Sequence, residues 1–398
     1  MFQLLDTQTL FLISLGSLLL AGLTLSIIGQ KTAFPRVTLL IGFGIFVGPE
    51  GLNFIPNLVT AQFDIIAQLA LLMVGFLIGG KLTRSALNDF SSAIISISIG
   101  ASLITSIIVT LGLLLFNVPL PLAIILGCIA AATDATAVFD VVTQSLGKSE
   151  NAKLNQFKSM LLSVVALDDA WALILFGLGI SLVFALSGGS EQGLLVHAMT
   201  DIGGGVLLGM LLGLPTAYIT GRLSPGKPVM SEALGVVFLC GGIALWLNVS
   251  FLIAAMVLGA VVANFAKHHD YPFHAIEGIE EQFMLIFFIL AGATLNFEAL
   301  QQIGWIGASY IALRIIGKLI GGFIGAKLGN VNQGTQHWIG PALLPQAGVA
   351  IGMGLVATSL MPEFGSQLLA AIICSTIFFE LVGPIMTMQA IKRVTNTR

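Results

Sequence analysis

Apolar segments of about twenty residues follow one another along almost the whole chain, and this pattern leaves few folds open. Because lipid offers the backbone no hydrogen-bond partners, segments of this kind must be helices or strands of a closed barrel, and their length favours helices. The pattern predicts an all-α polytopic membrane protein with about thirteen transmembrane helices. The predicted spans are 8–29, 37–55, 61–80, 91–116, 119–145, 156–184, 195–221, 229–247, 249–266, 277–296, 302–326, 337–360 and 366–391.

Composition supports the membrane class and argues against several others. Only 9% of the residues are charged, whereas soluble domains carry about 25%. The charges are scattered and the net charge is −3, so no basic surface for nucleic acid is expected. Cys128, Cys240 and Cys374 lie in apolar segments without metal-ligand spacing, which indicates buried thiols and no cofactor. The N-terminus lacks the basic region of a signal peptide, so we expect a first spanning helix there.

Basic residues alternate between loops and give an independent check on the topology. They follow the odd-numbered spans and are missing from the loops after the even-numbered ones. The positive-inside rule then predicts a multi-pass protein of the cell membrane with an odd number of spans, an outside N-terminus and a cytoplasmic C-terminus. These basic residues are Lys31, Arg36, Lys81, Arg84, Lys148, Lys153, Lys158, Arg222, Lys227, Lys267, Lys327, Lys392, Arg393 and Arg398.

Two adjacent acids, Asp168 and Asp169, lie in the middle of an apolar span. One charge at the bilayer centre costs about 2.5–3.5 kcal/mol on insertion scales, and two like charges also repel each other. Arg314 and Lys318 are the basic residues left inside a predicted span, four apart on one helix face. Burial favours a protonated carboxyl and a nearby ammonium favours a carboxylate, which suits a site that loads and releases protons. The simpler alternative is a salt bridge to Lys318 that only ties two helices together.

Two spans contain helix-breaking residues at membrane depth. Thr133 and Asp134 interrupt "GCIAAATDATAVFDVV", and Pro345 and Gly348 interrupt "GPALLPQAGVAIGMGL" around Gln346. Unwound backbone at this depth is tolerated only where it lines a cavity. The breaks fall in groups of three spans that start seven spans apart and so run in opposite directions, as in the inverted repeats of secondary transporters. A continuous helix with a hydrogen-bonded aspartate is the alternative at the first break.

The motifs together resemble the cation:proton antiporter superfamily, in the paired-aspartate branch that includes bacterial sodium:proton antiporters. The resemblance is carried by "PRVTLLIGFGIFVGPEGL", "AQLALLMVGFLIGGKL", "ATDATAV", "LDDAWALILF", "FMLIFFILAGATL", "RIIGKLIGG", "LLPQAGVAIG" and "ELVGP", which are spread over essentially the whole chain. It implies the sodium:proton antiporter fold, with two crossed broken helices, and a homodimer. It divides the single transmembrane domain, 1–398, into a mobile core (approximately 91–184 and 302–391) and a dimerisation scaffold (approximately 8–80 and 195–296), and we expect no soluble regulatory domain.

The resemblance also implies roles for single residues. Asp169 would carry the transported ion, and Asp168 would pair with Lys318 when no ion is bound. Thr133 and Asp134 match the family's broken-helix motif. The ion- and proton-binding residues expected here are therefore the two adjacent aspartates together with the residues of the first break.

Two features depart from the family pattern. Many relatives have proline after the aspartate of the first break, where this chain has Ala135. Electroneutral relatives often have asparagine before the ion-binding aspartate and a hydroxyl one turn earlier, where this chain has Asp168 and Val165. The sequence therefore sides with the electrogenic pattern, in which exchange moves net charge.

Two further groups of charged residues need an explanation. Arg314 is shared with part of the family, and Asp140 and Glu380 are the candidate partners for its charge. The acidic run at 277–281 begins a predicted span. We interpret this run as stabilising a helix N-terminus, where negative charge is favourable; the alternative is a cytoplasmic funnel that attracts cations.

The expected function is secondary transport rather than enzymatic catalysis: exchange of a monovalent cation, sodium or possibly lithium, for protons. Such cations prefer oxygen ligands, and Asp169 with Asp168 would hold either the cation or protons. The nearest alternatives are a potassium:proton antiporter and a potassium-efflux transporter of the same superfamily. A cation channel is a remote one, and an intramembrane aspartyl protease would need facing aspartates such as Asp134 and Asp169. The expected partners are the cation, protons and the lipid bilayer.

Overall fold

Every regular element in the described part of the chain is helical. The structure is a computed structural model, and it describes residues 7–31, 35–84, 92–144, 152–186, 191–220, 230–266, 270–295, 297–346 and 348–394. Within these residues, six helical segments are long and apolar enough to cross a membrane by length and composition. Five further apolar helices in these residues are shorter, at 10–17 residues, in part because two spans are interrupted.

The helices follow the predicted spans in order. Counting each interrupted span once, the described residues contain thirteen spans, so the predicted fold class is confirmed. The helices are α1 (Thr7–Lys31), α2 (Arg36–Val47), α3 (Phe63–Lys81), α4 (Ser92–Leu115), α5 (Leu120–Ile129), α6 (Ala135–Gln144), α7 (Ala152–Leu186), α8 (Glu191–Ile219), α9 (Met230–Trp246), α10 (Phe251–Phe265), α11 (Asp270–Ala293), α12 (Phe297–Leu328), α13 (Gln333–Ala342), α14 (Gly348–Leu360) and α15 (Gly365–Val394).

Two boundaries differ from the prediction by seven or eight residues, more than the others do. Helix α2 ends at Val47 rather than at residue 55, because "GPEG" follows and its glycines and proline favour turns. Helix α11 begins at Asp270, seven residues before the predicted start, since Pro272 in its first turn is compatible with a helix. The acidic run 277–281 is therefore inside the helix, and its interpretation as an N-terminal feature is wrong.

The two predicted breaks are present, and they cross. Residues 130–134 separate α5 from α6, and the second break separates α13 from α14. The backbone N–H of Asp134 donates to the carbonyl of Pro345 at 2.9 Å, and the Thr133 hydroxyl lies 3.3 Å from the carbonyl oxygen of Leu343. The unwound segments therefore satisfy part of each other's backbone polarity, and the alternative of a continuous helix at Asp134 is wrong.

The helices pack in two groups. Helices α4–α7 and α12–α15 contact one another extensively, with α12 lying along α4 and against both α13 and α15. In the other group α3 packs on α10 and α11, α2 on α11, and α8 on α10. The groups meet where α7 contacts α8, α3 contacts α14, and α2 contacts α15. Both broken spans belong to the first group, and the second group forms a wall beside them.

Helix α12 approaches α4 closely through glycines. A Cβ on Gly321 would lie 2.6 Å from the carbonyl oxygen of Gly100, and a Cβ on Gly317 would lie 2.8 Å from the Cα of Thr105. Small residues allow this approach between helices in lipid, where packing rather than the hydrophobic effect holds helices together. Because Arg314 and Lys318 lie on the same helix, the contact also fixes their depth beside the breaks.

We predict that Gly321→Ala lowers the free energy of unfolding by about 1–3 kcal/mol, because the added methyl meets backbone that cannot move aside. Gly304→Ala is the matched control on α12, since a Cβ there would meet nothing within 4 Å. It should be neutral or stabilise the helix by up to about 1 kcal/mol. Unfolding of the detergent-purified variants would measure both changes, and equal stability would contradict the packing argument.

Candidate functional site

A buried ion pair joins α7 to α12. The ammonium of Lys318 lies 2.7 Å from Oδ2 of Asp168, and both side chains are fully buried. The same ammonium donates to the carbonyl of Ala131 at 2.5 Å and lies 2.8 Å from the hydroxyl oxygen of Thr133. A lysine has three hydrogens to donate, so these acceptors use all of them. The arrangement anchors the first break to α12.

The carboxylate of Asp168 also has several hydrogen-bond partners. The Thr133 hydroxyl donates to its Oδ2, and the Ser102 hydroxyl of α4 donates to its Oδ1. A buried ion pair is costly unless further hydrogen bonds saturate both charges, and removal of one partner leaves an uncompensated charge. With one ammonium and two hydroxyl donors around it, Asp168 is held in place by three different segments of the chain.

Asp169 has a different environment from its neighbour. It is 4% exposed, and its Oδ1 has no hydrogen-bond partner in the part of the chain that the structure describes. Consecutive residues on a helix point about 100° apart, so Asp168 faces α12 while Asp169 lines a cavity. A buried carboxylate oxygen that points into a cavity can accept a proton or a cation from it.

The cavity has a volume of about 770 Å³ and lies between the two groups of helices. Among the described residues that line it, six are acidic and two, Arg36 and Lys81, are basic. Arg36 is paired with Glu281 at 2.9 Å. The surplus of carboxylates makes the cavity attractive to cations. The acidic residues are Asp134, Asp140, Asp169, Glu280, Glu281 and Glu380.

Arg314 binds the backbone of both breaks. Its guanidinium donates to the carbonyls of Ala130, Ala132 and Leu344 at 2.7–3.1 Å, and lies 3.5 Å from that of Pro345. These carbonyls follow the C-terminal ends of α5 and α13, where orphan acceptors and negative partial charge accumulate. The side chain is fully buried, and its guanidinium carbon lies 4.2 Å from the ring centroid of Phe379. The cation thus stabilises the crossing of the two breaks.

The partners that the sequence offered for Arg314 were wrong. Among the described residues, neither Asp140 nor Glu380 forms an ion pair with it, and both line the cavity instead. The physical reason is that two helix ends already present four carbonyl oxygens to the guanidinium. A carboxylate is not needed where the backbone itself supplies the negative partial charge.

The other ends of the broken helices face the cavity. Ala135 and Gly348, the first residues of α6 and α14, line it together with Asp134. The positive partial charges of these helix N-termini are therefore balanced by the acidic lining. Gln346 lies in the second break, where its amide donates to the Tyr310 hydroxyl at 3.2 Å and lies 3.4 Å from the carbonyl oxygen of Ile129.

The structure places the predicted site residues in two neighbouring groups. Lys318, Asp168 and Thr133 form the bonded cluster, whereas Asp169 and Asp134 line the cavity beside it. Sequence reasoning missed Ser102, whose only signal was a polar residue on an apolar span. For Glu280 and Glu281, which line the cavity, it offered the role of attracting cations only as the less favoured alternative.

Crossed broken helices with an ion pair and an acidic cavity at their crossing define a secondary transporter. The family model described as "Sodium/hydrogen exchanger, transmembrane" matches residues 15–392. The chain therefore belongs to the sodium/hydrogen exchanger family, as the sequence motifs predicted, and it is a cation:proton antiporter of that family.

Curated relatives of similar length carry different cations in their names. "Ammonium/H(+) antiporter subunit AmhT" of Alkalihalophilus pseudofirmus is 23% identical over 94% of each chain. "K(+)/H(+) antiporter subunit KhtU" of Bacillus subtilis is 22% identical over 93% of this chain and 90% of its own. The solved structure of the sodium proton antiporter MjNhaP1 from Methanocaldococcus jannaschii superposes with a TM-score of 0.74 and 18% identity, covering 97% of this chain and 99% of that one. This likeness confirms the fold.

We predict that Ser102→Ala lowers the free energy of unfolding by about 1.5–3 kcal/mol, because a hydrogen bond to a buried charge is lost. Ser106→Ala is the matched control, one turn further along α4, where the buried hydroxyl has no partner among the described residues. Its removal should be neutral or slightly stabilising. Thermal unfolding of both variants would measure the difference, and an equal loss would show that the Ser102 hydroxyl does not support Asp168.

Proposed function

We propose that this antiporter exchanges sodium, or lithium, for protons across the cell membrane by competition at Asp169. The observation that carries the proposal is the unpartnered buried oxygen of Asp169 in a cavity with an acidic lining. A monovalent alkali cation prefers carboxylate, carbonyl and hydroxyl oxygens, and Thr133 and Asp134 line the same cavity. A carboxylate that holds a proton has lost the charge that attracts the cation, so the two substrates exclude each other.

Asp168 and Lys318 would supply the second proton. A cation bound beside Asp168 competes with the ammonium for the same negative charge. If Lys318 then releases a proton, each cation carried in one direction is exchanged for two protons carried in the other. One net charge crosses the membrane per cycle under this scheme. The supporting feature is that Asp168 and Lys318 are adjacent, fully buried and bonded to each other.

Alternating access would come from displacement of the core helices, 91–184 and 302–391, against the scaffold helices, 8–80 and 195–296. The cavity lies along the surface where these groups meet, and Arg36 and Lys81 are among its lining residues. The positive-inside rule assigns both basic residues to the cytoplasm. The cavity would then open inwards, with the N-terminus outside, the C-terminus cytoplasmic, and the scaffold forming a homodimer within the lipid bilayer.

Potassium is the second candidate cation. The name of KhtU specifies potassium, while that of MjNhaP1 specifies sodium. Cation choice depends on the distances between coordinating oxygens and on the cost of dehydration. Proton-flux measurements in proteoliposomes with sodium, lithium, potassium and ammonium in turn would rank the cations directly, and exchange confined to potassium would favour the second candidate.

We predict that Asp169→Asn reduces cation:proton exchange about a hundredfold or more, which corresponds to about 2.8 kcal/mol of lost binding. Asparagine retains the shape of the side chain but carries no negative charge and cannot exchange protons. Asp64→Asn is the matched control, since Asp64 is exposed in the first turn of α3 and does not line the cavity. Both variants should fold. Full exchange by the Asp169 variant in proteoliposomes would remove Asp169 from the site.

We also predict that exchange responds to membrane potential. One net charge per cycle adds about 2.3 kcal/mol of driving force per 100 mV. In proteoliposomes with a potassium diffusion potential set by valinomycin, sodium-driven proton flux should rise or fall with the sign of the potential. Collapse of the potential with excess valinomycin and equal potassium on both sides is the control. Flux that is unchanged by the imposed potential would support one-for-one electroneutral exchange instead.

A further inference from the structure

Glu380 is a buried carboxyl that the proposed exchange at Asp169 does not use. It lies near the middle of α15, is 6% exposed and lines the same cavity as Asp169. In the part of the chain that the structure describes, it has neither a hydrogen-bond partner nor an opposite charge in an ion pair. An acid in this position is costly, and the cost indicates a use inside the cavity rather than a structural bond.

The neighbours of Glu380 are those of a cation pathway. Asp134, Asp169 and Glu380 all line this cavity, and Asp134 is near enough to both of the other carboxyls for its charge to act on them. Pro384, one turn further along α15, and Asp140 on α6 line the cavity as well. The four carboxyls come from the first break, α6, α7 and α15, which converge on one space.

We propose that Glu380 is a second station for the transported cation, which it holds together with Asp134 before the cation passes to Asp169. This inference rests on the proposed exchange at Asp169. The ligand is the same monovalent cation, bound by carboxylate oxygens and the water of the cavity. The bonded cluster of Asp168, Lys318 and Thr133 takes no part in this step, because its donors and acceptors are already used.

A second station explains why the cavity is lined by buried carboxyls other than Asp169. The charge of a cation that leaves bulk water must be balanced along its whole path, because a partly dehydrated charge is unstable in surroundings of low dielectric constant. Two stations that share Asp134 allow the cation to be passed over a short distance without being left unpaired. Multiple weak sites of this kind also permit release, because none of them holds the cation too tightly.

The test is the kinetics of reconstituted Glu380→Gln. We expect the apparent KM for the cation to rise about tenfold, which corresponds to about 1.4 kcal/mol, with the maximal rate largely retained at saturating cation. Glu380→Asp keeps the charge and should restore a KM close to that of the parent protein. Glu363→Gln is the matched control, because Glu363 is exposed in the short 3₁₀ turn before α15 and should leave the KM unchanged.

A purely structural role for Glu380, as a counter-charge to the N-termini of α6 and α14, predicts a different result. The glutamine variant would then lose stability or maximal rate while its KM stayed the same, and this outcome would overturn the inference. If that variant cannot be recovered folded, Glu380→Ala is measured against the same expectations. If Glu380→Gln has an unchanged KM and Asp169→Asn is inactive, only the second station is contradicted. If Asp169→Asn is active, the proposed function itself is contradicted.

Discussion

The contact between Arg314 and Lys318 of α12 and the backbone carbonyls of the two breaks is the interaction on which the rest of the structure depends. An interrupted helix in a membrane exposes acceptors that lipid cannot satisfy. Arg314 serves both breaks, and Lys318 serves the first through Ala131. Without these donors the unwound segments would have to close into helices, and no polar surface would remain at the crossing. The charges on α12 are therefore the condition for a site at this depth.

The adjacency of two aspartates gives one short stretch of helix two carboxyls in different environments. Asp168 points towards α12 and is saturated by Lys318, Thr133 and Ser102. Asp169, one residue on, points into the acidic cavity with an oxygen that no described group bonds. The first acid is held in a network of bonds, and the second keeps a carboxylate oxygen without a partner among the described residues. A single carboxyl could not be both firmly held and free to exchange its partner.

Much of the architecture could be predicted because the bilayer restricts the possibilities. Span length, the alternation of basic loops and the breaker residues around Asp134 and Pro345 gave the helices, their interruptions and their inverted order. The partners of Arg314 could not be predicted, because they are backbone carbonyls, which every residue has whatever its side chain. Ser102 was missed for a related reason. A hydroxyl on a membrane helix often bonds its own backbone, as Thr105 does to the carbonyl of Ala101, so its type alone does not reveal a distant acceptor.

The glycine contact between α4 and α12 restricts how Asp168 and Lys318 could move. Backbone lies almost directly on backbone at Gly100 and Gly321, so one helix cannot slide without dragging the other. Ser102 belongs to one of these helices, Lys318 to the other, and Asp168 is bonded to both. In any movement of these two helices, the side chains of Ser102, Asp168 and Lys318 would therefore keep their positions relative to one another. Any movement of this cluster relative to the rest of the protein would therefore have to occur at the surfaces where α4 and α12 meet other helices, and not at the contact between them.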